Sequence, residues 1–370
     1  MTEPATTAET PPLMELALVS QVFPTKRGPV TAVDAVSLDL KRGSVVCLVG
    51  ESGSGKTTTA RMAAGLNKPT AGTITFDGHD VASFGRRERK AYRKGVQYIH
   101  QDPYASLNPT RTVESTLLAP MRKHRLYKSR RAATDRAREL LKLVDLNPPD
   151  NYLKKYPHQL SGGQRQRVSI ARALTLDPKL IIADEATSML DVSIRISMLN
   201  VLGRLRDELD VAFLFITHDL ALARYFGWNG EVAVMYLGRV VEQGPTPDVI
   251  RNPAHPYTRA LLEAIPEPDP DLTRAKSGGG LRTADVPSLL EIPAGCPFHP
   301  RCPIAQPGLC DTDRPALMPV GGSRHTAACV RLDAVDTEMP LSEAVRAGAA
   351  KAKALRTSAA PRKDEVVRDA

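Results

Sequence analysis

Short apolar runs alternate with amphipathic stretches over most of the 370-residue chain. The runs Val45–Val49, Leu180–Ala183 and Val211–Thr217 are almost wholly apolar and rich in β-branched residues, which is typical of strands buried on both faces of a sheet. Alternating polar and apolar positions predict further strands at Leu16–Val22 and Ala35–Leu40. Strands that alternate with helices predict an α/β fold around a mostly parallel sheet.

Helical patterns and changes in composition predict how the chain is organised. Helices are predicted at Lys56–Gly65, Arg131–Val144, Gln164–Leu174 and Ser193–Leu209. Residues 103–170 carry helical patterns and few strand signals, so we expect a helical subdomain inserted there. The predicted organisation is a disordered tail at 1–12, an α/β domain at 13–265, a linker at 266–285, a cysteine-containing region at 286–333 and a mobile tail at 334–370.

Composition argues against a membrane-spanning or secreted protein and leaves nucleic-acid binding as an alternative function. No apolar run approaches 18 residues, so no transmembrane helix is expected, and the polar residues 1–12 do not resemble a secretory signal. We therefore expect the protein to stay in the cytoplasm. Because the net charge is +9, a nucleic-acid partner has to be considered. The short basic runs lack interleaved aromatic residues, which favours a solvated surface over a nucleic-acid groove.

A glycine-rich loop follows the first buried strand. Gly50–Thr57 reads GESGSGKT and fits the phosphate-loop pattern, with a predicted helix directly after it. Backbone N–H groups of such a loop, and the N-terminal end of the helix, bind phosphate oxygens. Lys56 is expected to reach the β- and γ-phosphates, and Thr57 is expected to bind Mg²⁺.

Polar residues follow three further strands. Asp184 ends the buried run that begins at Leu180, where a carboxylate would hold Mg²⁺, and Glu185 would orient the attacking water. His218 follows the next buried run and would lie near the same sheet edge, within reach of a γ-phosphate. Gln101 follows the predicted strand Val96–Ile99 and is a candidate to contact the metal ion or the water.

The segment Leu160–Gln164 reads LSGGQ and opens a predicted helix. Its serine, its two glycines and the helix N-terminus form a second predicted anion site. A chain that already has one phosphate loop needs no second one for its own nucleotide. The simplest explanation is that this segment completes the ATP site of another subunit, in a head-to-tail dimer with two ATP molecules at the interface.

Taken in order, these motifs resemble those of the nucleotide-binding domain of ABC transporters over residues 13–265. The resemblance implies a P-loop NTPase (RecA-like) α/β core with an antiparallel β subdomain, an inserted helical subdomain and a small C-terminal extension that contains cysteines. It implies ATP hydrolysis with Glu185, His218 and Gln101 as catalytic residues and with Thr57, Gln101 and Asp184 around Mg²⁺. The implied nucleotide contacts are Gly50, Ser52, Gly53, Gly55, Lys56, Thr57, Thr58, Ser161, Gly162, Gly163, Gln164 and Asp191, with Phe23 stacked on adenine. Ala186, Met189 and His100 depart mildly from the family pattern.

Three other segments narrow the resemblance. Gln101–Pro109, Phe215–Tyr225 and His255–Leu262 are similar to segments of oligopeptide/dipeptide permease ATPases, above all the F-type member of the ATPase pair. The implied partners are a second ATPase, two membrane permeases and an extracytoplasmic binding protein, with this chain at the cytoplasmic face of the membrane and no nucleic acid bound. Nickel or oligosaccharides are alternative cargoes. One alternative is a soluble ABC ATPase that acts on nucleic acid or ribosomes, which the single nucleotide-binding domain and the lack of a long coiled coil disfavour. Another is a non-catalytic subunit, which the intact motifs disfavour.

Four of the five cysteines lie close together near the C-terminus, at Cys296, Cys302, Cys310 and Cys329. Disulfides are rare in cytoplasmic proteins, and the spacing lacks the short C-x-x-C pairs of zinc knuckles. The segment Gly295–Pro303 resembles the pattern of family members that carry a [4Fe–4S] cluster, which is the favoured reading. Zinc, with His299 or His325 as further ligands, and unligated thiols remain the alternatives.

Overall fold

The structure is a computed structural model, and it describes residues 11–265, 281–321, 324–343 and 345–346. Most of the tail predicted at 1–12, most of the linker predicted at 266–285 and residues 347–370 of the predicted mobile tail lie outside the described residues. The strands are β1 (Met14–Thr25), β2 (Gly28–Leu40), β3 (Val45–Val49), β4 (Ala71–Phe76), β5 (His79–Asp80), β6 (Val96–Ile99), β7 (Leu180–Asp184), β8 (Ala212–Thr217), β9 (Glu231–Tyr236), β10 (Arg239–Pro245), β11 (Met318–Pro319) and β12 (Thr326–Ala327). The helices are α1 (Lys56–Ala63), α2 (Arg86–Gly95), α3 (Pro103–Ser106), α4 (Val113–Lys123), α5 (Arg130–Leu143), α6 (Asp150–Leu153), α7 (Gly162–Leu174), α8 (Val192–Leu209), α9 (Leu220–Phe226), α10 (Thr246–Arg251), α11 (Pro256–Glu263) and α12 (Leu332–Glu338).

The chain divides into two compact units. Of the described residues, the first unit contains 11–240 and 288–292, and the second contains 241–265, 281–287 and those from 293 onwards. The division therefore lies before α10, whereas the sequence predicted it near residue 265. The reason is a strand pairing between distant segments, because Glu242 and Gln243 of β10 pair with Ala327 and Thr326 of β12.

A parallel sheet forms the core of the first unit. Its strands lie in the order β6, β7, β8, β3 and β9, and each neighbouring pair is parallel. Every residue of β3, β7 and β8 is buried, as the apolar runs predicted. Because parallel strands end at the same sheet edge, β3, β6, β7 and β8 bring the polar residues that follow them to one edge.

A second, antiparallel sheet in the same unit has the strand order β2, β1, β4 and β5. Its longest strands, β1 and β2, include the two strands predicted from alternating polar and apolar positions. The segment from α3 to α7 contains helices, turns and loops and no strand among its residues, all of which the structure describes. The predicted P-loop NTPase architecture is thereby confirmed, with an antiparallel β subdomain and a helical insertion.

The second unit is held together by buried polar contacts. Glu242 is fully buried and accepts hydrogen bonds from the backbone N–H groups of Ala254 and His255, at 2.7 and 2.9 Å. The Nε2 atom of His325 lies 2.7 Å from the same carboxylate. These contacts fasten the segment before α11 to β12, more than 60 residues further along the chain.

The order of the second unit continues past residue 333, where the sequence predicted a mobile tail. Leu332–Glu338 forms α12, and Val335 is buried. The guanidinium of Arg259, which is only 3% exposed, donates to the carbonyl oxygens of Val335 and Met339 at 3.1 and 2.6 Å. This buried arginine therefore fastens α12 to α11, which contains Arg259. No helix among the described residues is long and apolar enough to cross a membrane.

Candidate nucleotide site and cysteine cavity

The phosphate loop lies between the end of β3 and the start of α1, as predicted. At Gly50, a Cβ atom would lie 2.1 Å from the carbonyl oxygen of Met235, and at Gly55 it would lie 2.3 Å from the carbonyl oxygen of Ala32. Gly55 also has φ of 102° and gives α1 no side-chain cap. The loop therefore needs glycine at both positions, and the first N–H groups of α1 remain available to an anion.

Lys56 is held inside the loop. Its Nζ atom donates to the carbonyl oxygens of Gly50 and Glu51, each at 2.8 Å, and the residue is 4% exposed. Burial lowers the pKa of Lys56, while the nearby carboxylates of Glu185 and Asp184 act in the opposite direction. The ammonium group is thus already desolvated and ordered where a phosphate would sit, which reduces the cost of binding one.

Asp184, at the end of β7, accepts two hydrogen bonds. The Thr57 hydroxyl donates to its Oδ1 atom at 3.1 Å, and the Tyr98 hydroxyl donates to its Oδ2 atom at 2.5 Å. Burial raises the pKa of Asp184, and the two hydrogen bonds oppose that shift by stabilising the carboxylate. A carboxylate oxygen beside a hydroxyl oxygen, next to the phosphate loop, matches the oxygen ligands that Mg²⁺ prefers.

Glu185 lies among the other predicted catalytic residues. Its Oε2 atom accepts a hydrogen bond from Gln101 Nε2 at 2.9 Å, and its Oε1 atom lies 3.5 Å from His218 Nδ1. Glu185 has φ of 45°, and the hydroxyl of Ser188 donates to its carbonyl oxygen at 2.9 Å. The turn after β7 therefore holds the carboxylate between residues that follow β6 and β8.

The LSGGQ segment forms the start of α7. Ser161 is the N-cap, its hydroxyl accepts from the Gln164 N–H at 3.3 Å, and the Gln164 side chain accepts from the Ser161 N–H at 3.1 Å. Ser161 is exposed, whereas Gly163 is buried. Among the hydrogen bonds between described residues, none joins Lys56 or Thr57 to Ser161 or Gly163. Ser161 is thus exposed to solvent and is not hydrogen-bonded to Lys56 or Thr57 in the phosphate loop of its own chain.

The remaining predicted nucleotide contacts lie on the surface or close to it. Ser52 and Gly53 are exposed at the tip of the loop, and Thr58 is half-buried in α1. Asp191 is exposed at the N-cap of α8 and makes no side-chain cap. Phe23, in β1, is 38% exposed, so an aromatic face is available there for stacking. Gly162 is half-buried in the first turn of α7.

Tyr98 is the residue of this site that the sequence analysis missed. The segment Val96–Ile99 was predicted as a strand, but no role was given to its tyrosine. The parallel register places Tyr98 beside Ile182, two residues before Asp184. Because alternate residues of a strand share a face, a tyrosine at this position reaches the carboxylate. The sequence signal was present, and only the pairing of β6 with β7 was needed to use it.

The four C-terminal cysteines line a single cavity of the second unit. Cys296, Cys302, Cys310 and Cys329 face it together with His255 and Phe298. Two of the sulfurs accept backbone hydrogen bonds at 3.4 Å, Cys310 from the Gln306 N–H and Cys329 from the Arg331 N–H. Cysteines separated by as many as 33 positions in the sequence thus line the same cavity.

Burial dominates the acidity of two of these thiols. It raises the pKa of Cys302 to about 12 and that of Cys329 to about 11, and the other thiols of the cluster add to the shift. As free thiols, Cys302 and Cys329 are therefore protonated at neutral pH. Among the described residues, no group of three or more histidine, cysteine or acidic side chains is arranged to hold one metal ion. His325, a candidate zinc ligand, is bonded to Glu242 instead.

His255 gives the cavity a donor. It is 1% exposed, its Nδ1 atom accepts from the Tyr257 N–H at 3.1 Å, and its Nε2 atom has no hydrogen-bond partner among the described residues. Burial lowers the pKa of His255 to about 4, so the ring is neutral at pH 7. Since Nδ1 accepts, the proton of the neutral ring is on Nε2, which leaves a buried N–H donor on a residue that lines the cavity.

Comparison with known proteins decides the family. The family described as ABC transporter matches residues 33–188, and the family described as oligopeptide/dipeptide transporter, C-terminal region, matches residues 241–310. A putative peptide import ATP-binding protein of Brucella ovis is 45% identical over 320 residues, covering 86% of this chain and 98% of that protein. The chain belongs to the ABC transporter family. It is the ATP-hydrolysing subunit of a transporter, as the sequence predicted.

Other relatives agree with this assignment. The oligopeptide transport ATP-binding protein AppF of Bacillus subtilis is 42% identical over 337 residues, covering 88% of this chain and 98% of that protein. Among solved structures, the dimeric ATP-binding cassette MJ0796 bound to ADP and Pi is 30% identical, with a TM-score of 0.57. It covers 63% of this chain and 98% of its own. As an ABC ATPase, the chain binds ATP and Mg²⁺ and works as part of a membrane transporter.

Proposed function

We propose that this ABC ATPase drives the import of oligopeptides or dipeptides, as one of two different ATPase subunits beneath two membrane permeases. The observation that carries the proposal is the match of residues 241–310 to the C-terminal region of oligopeptide/dipeptide transporters, on a chain whose nucleotide motifs are intact. Relatives named as peptide import and oligopeptide transport proteins support it. The chain would dock at the cytoplasmic face of the membrane and receive cargo delivered by an extracytoplasmic binding protein.

The geometry supports a division of roles within the site. Lys56 and the N–H groups at the start of α1 would hold the phosphates, and Thr57 and Asp184 would bind Mg²⁺. Glu185 would polarise the attacking water, with His218 beside it to contact the γ-phosphate. Gln101 would link this carboxylate to the permease, because it follows β6 and directly precedes the helical segment that begins with α3.

The exposed start of α7 supports a shared site. Ser161, Gly163 and the N–H groups of α7 would contact the ATP held by the phosphate loop of the partner ATPase, and the partner would do the same in return. Asp191, exposed at the start of α8, would lie at this interface. Binding of ATP would then close the dimer and hydrolysis would open it.

Co-purification tests the transporter and its cargo together. A tagged form of the protein is purified from its native cells in mild detergent, and the associated proteins are identified by mass spectrometry. Two multi-span permeases and a second ATPase are expected. The binding protein from the same system is then screened against peptides, nickel and oligosaccharides by thermal shift. Selective binding of nickel or of sugars would contradict peptide import, and recovery with ribosomes or nucleic acid would overturn the transporter role.

We further propose that Cys296, Cys302, Cys310 and Cys329 hold a [4Fe–4S] cluster. Four thiols that line one cavity, sulfurs that accept backbone N–H bonds and the unpartnered N–H of His255 fit such a group, whose thiolates and sulfides accept hydrogen bonds. In a four-iron cluster each thiolate binds a different iron, so no three ligands need to surround one point. The cluster would supply structural or regulatory stabilisation, since transport requires no redox step.

Iron analysis tests the cluster. Anaerobically purified protein should contain iron and acid-labile sulfide in equal amounts, and Cys302→Ser should lose both together with the brown colour. Cys47→Ser is the matched control, because Cys47 is a buried thiol in β3 of the first unit. Iron retained in Cys302→Ser, or zinc in place of iron in the wild type, would contradict the proposal.

A further inference from the structure

Tyr98 makes a short contact with the carboxylate at the centre of the nucleotide site. Its hydroxyl lies 2.5 Å from Asp184 Oδ2, while Thr57 occupies Oδ1 at 3.1 Å. Hydrogen bonds to a charged carboxylate are shorter and stronger than those between neutral groups. Both oxygens of Asp184 are thus fixed, each by a hydroxyl from a different strand or helix.

The fold around Tyr98 leaves its ring little freedom. Its neighbour across the sheet is Ile182 in β7, and its ring lies against that of His100, with 4.7 Å between the ring centroids. A phenol, whose ordinary pKa is about 10, is protonated at neutral pH and is the donor to the Asp184 carboxylate in this pair.

Tyr98 and Thr57 differ because only Thr57 is a proposed ligand of the metal ion. Thr57 is itself a proposed ligand of Mg²⁺, so the position of its hydroxyl would depend on the ion that it binds. Tyr98 is no ligand in that scheme, and it contacts the carboxylate from the neighbouring strand. Its bond to Oδ2 can therefore persist when the ion is bound.

We propose that Tyr98 is a positioning residue for Mg²⁺, which fixes Asp184 through Oδ2 so that Oδ1 faces Thr57 and the ion. The inference rests on the proposed assignment of Asp184 to Mg²⁺. Tyr98 touches neither ATP nor the metal, and it acts by holding the carboxylate in one rotamer. Loss of its hydroxyl leaves a carboxylate that must be ordered each time the ion binds.

The test is the Mg²⁺ dependence of ATP hydrolysis by the purified complex at saturating ATP. In Tyr98→Phe, half-maximal activity is expected at about tenfold higher Mg²⁺, the loss that follows from one hydrogen bond to a charged group. Most of the maximal rate should return at saturating Mg²⁺. Binding of a fluorescent ATP analogue in EDTA should match the wild type, because that step involves no metal.

Tyr92→Phe is the matched control. Tyr92 is also buried in the first unit, but its hydroxyl donates to the carbonyl oxygen of Ala63 and not to a carboxylate. Its Mg²⁺ dependence should equal that of the wild type. Tyr98→Met, which is also apolar and lacks the hydroxyl, should reproduce the shift and carries the test if Tyr98→Phe folds poorly.

Asp184→Asn distinguishes the positioning role of Tyr98 from the proposed binding of Mg²⁺ by Asp184. If Asp184→Asn leaves the Mg²⁺ dependence unchanged, Asp184 does not hold the ion and the proposed site is wrong. If Asp184→Asn shifts it while Tyr98→Phe and Tyr98→Met do not, the site stands and the role of Tyr98 is refuted. An equal shift in Tyr92→Phe would also refute that role, since it would show a general effect of losing a buried hydroxyl.

Discussion

The two units of this protein build their candidate sites in opposite ways. The nucleotide site of the first unit is made from loops that directly follow parallel strands, and hydrogen bonds already hold its side chains. The Lys56 ammonium donates to a backbone carbonyl oxygen, the Thr57 hydroxyl donates to Asp184 and Gln101 donates to Glu185. The cavity of the second unit is lined by four thiols from distant positions, and burial raises the pKa of Cys302 and Cys329. The first site is preorganised for an exchangeable ligand, whereas the second is suited to a group that stays bound.

The largest expected effect is the loss of ATP hydrolysis in Glu185→Gln, which should change the chemistry of the first unit and leave the structure of the second unit intact. Glu185→Gln keeps the hydrogen-bonding shape of the side chain but removes its capacity to polarise water. Hydrolysis should fall about 10³-fold, equivalent to ~4 kcal/mol. Binding of ATP should stay at the wild-type level, and so should the iron content that the proposed cluster predicts. Turnover assays and equilibrium ATP binding on the same preparation measure this.

The control for that variant is Glu208→Gln, which makes the same change at an exposed position of α8. It should hydrolyse ATP at the wild-type rate. Normal turnover in Glu185→Gln would remove this residue from the catalytic role. Loss of ATP binding together with turnover would show instead that the carboxylate organises the phosphate loop.

The second prediction concerns a substitution that should destabilise the second unit and leave ATP binding by the first unit unchanged. Arg259 donates to the carbonyl oxygens of Pro253, Val335 and Met339, and it also bonds Asp336, whose side chain is 85% exposed. Arg259→Met would remove the guanidinium donor from all three of these carbonyl groups, although the Val335 carbonyl would keep its bond from the Met339 N–H. We expect a loss of about 3 kcal/mol in the free energy of unfolding. Urea denaturation should show it, whereas the KM for ATP should change little.

Arg259→Lys sharpens this result. A lysine keeps the charge but has no planar fork to serve several carbonyls, so most of the destabilisation should remain. Full stability in Arg259→Lys would show that charge, and hence the exposed ion pair with Asp336, supplies the stabilisation. Stability unchanged in both variants would contradict the buried network as the support for α12.

Acidification should weaken the second unit through His255. Its pKa is lowered by burial to about 4, below the unfolded value near 6.5, so the unfolded state binds the proton first as pH falls. The contribution is fully present above pH ~6.5 and is lost progressively towards pH ~4. At pH ~5 the loss is about 2 kcal/mol. Denaturation measured at pH 7.5 and 5 should show this loss in the wild type.

His255→Asn is the comparison for that experiment. The side-chain oxygen of asparagine can accept from the Tyr257 N–H as Nδ1 of the histidine does, but it does not titrate. The variant should therefore lose about 2 kcal/mol less than the wild type between the two pH values. Equal losses would place the acid sensitivity elsewhere, including in the proposed cluster.

The same contrast explains what could be predicted from the sequence. The phosphate loop, the ends of β7 and β8 and the start of α7 are contiguous motifs, and burial of apolar runs fixes which sheet edge they share. By contrast, the pairing of β10 with β12 and the support of α12 by Arg259 join segments more than 70 residues apart. No local pattern reveals such contacts, so the division near residue 240 and the helix at Leu332–Glu338 were missed. Tyr98 was missed for a similar reason, since its role depends on strand order.

The smallest expected effect distinguishes a structural cap from a functional one. Ser161 and Ser129 cap α7 and α5 in the same way, with hydroxyls that accept backbone N–H bonds at 3.3 and 3.2 Å. Ser161→Ala and Ser129→Ala should each cost about 1 kcal/mol of stability, measured by urea denaturation. Only Ser161→Ala should also lower ATPase activity of the assembled complex, because we propose that Ser161 belongs to the site shared with the partner. Equal activity in the two variants would mean that Ser161 only caps its helix, and the shared-site proposal would lose its support.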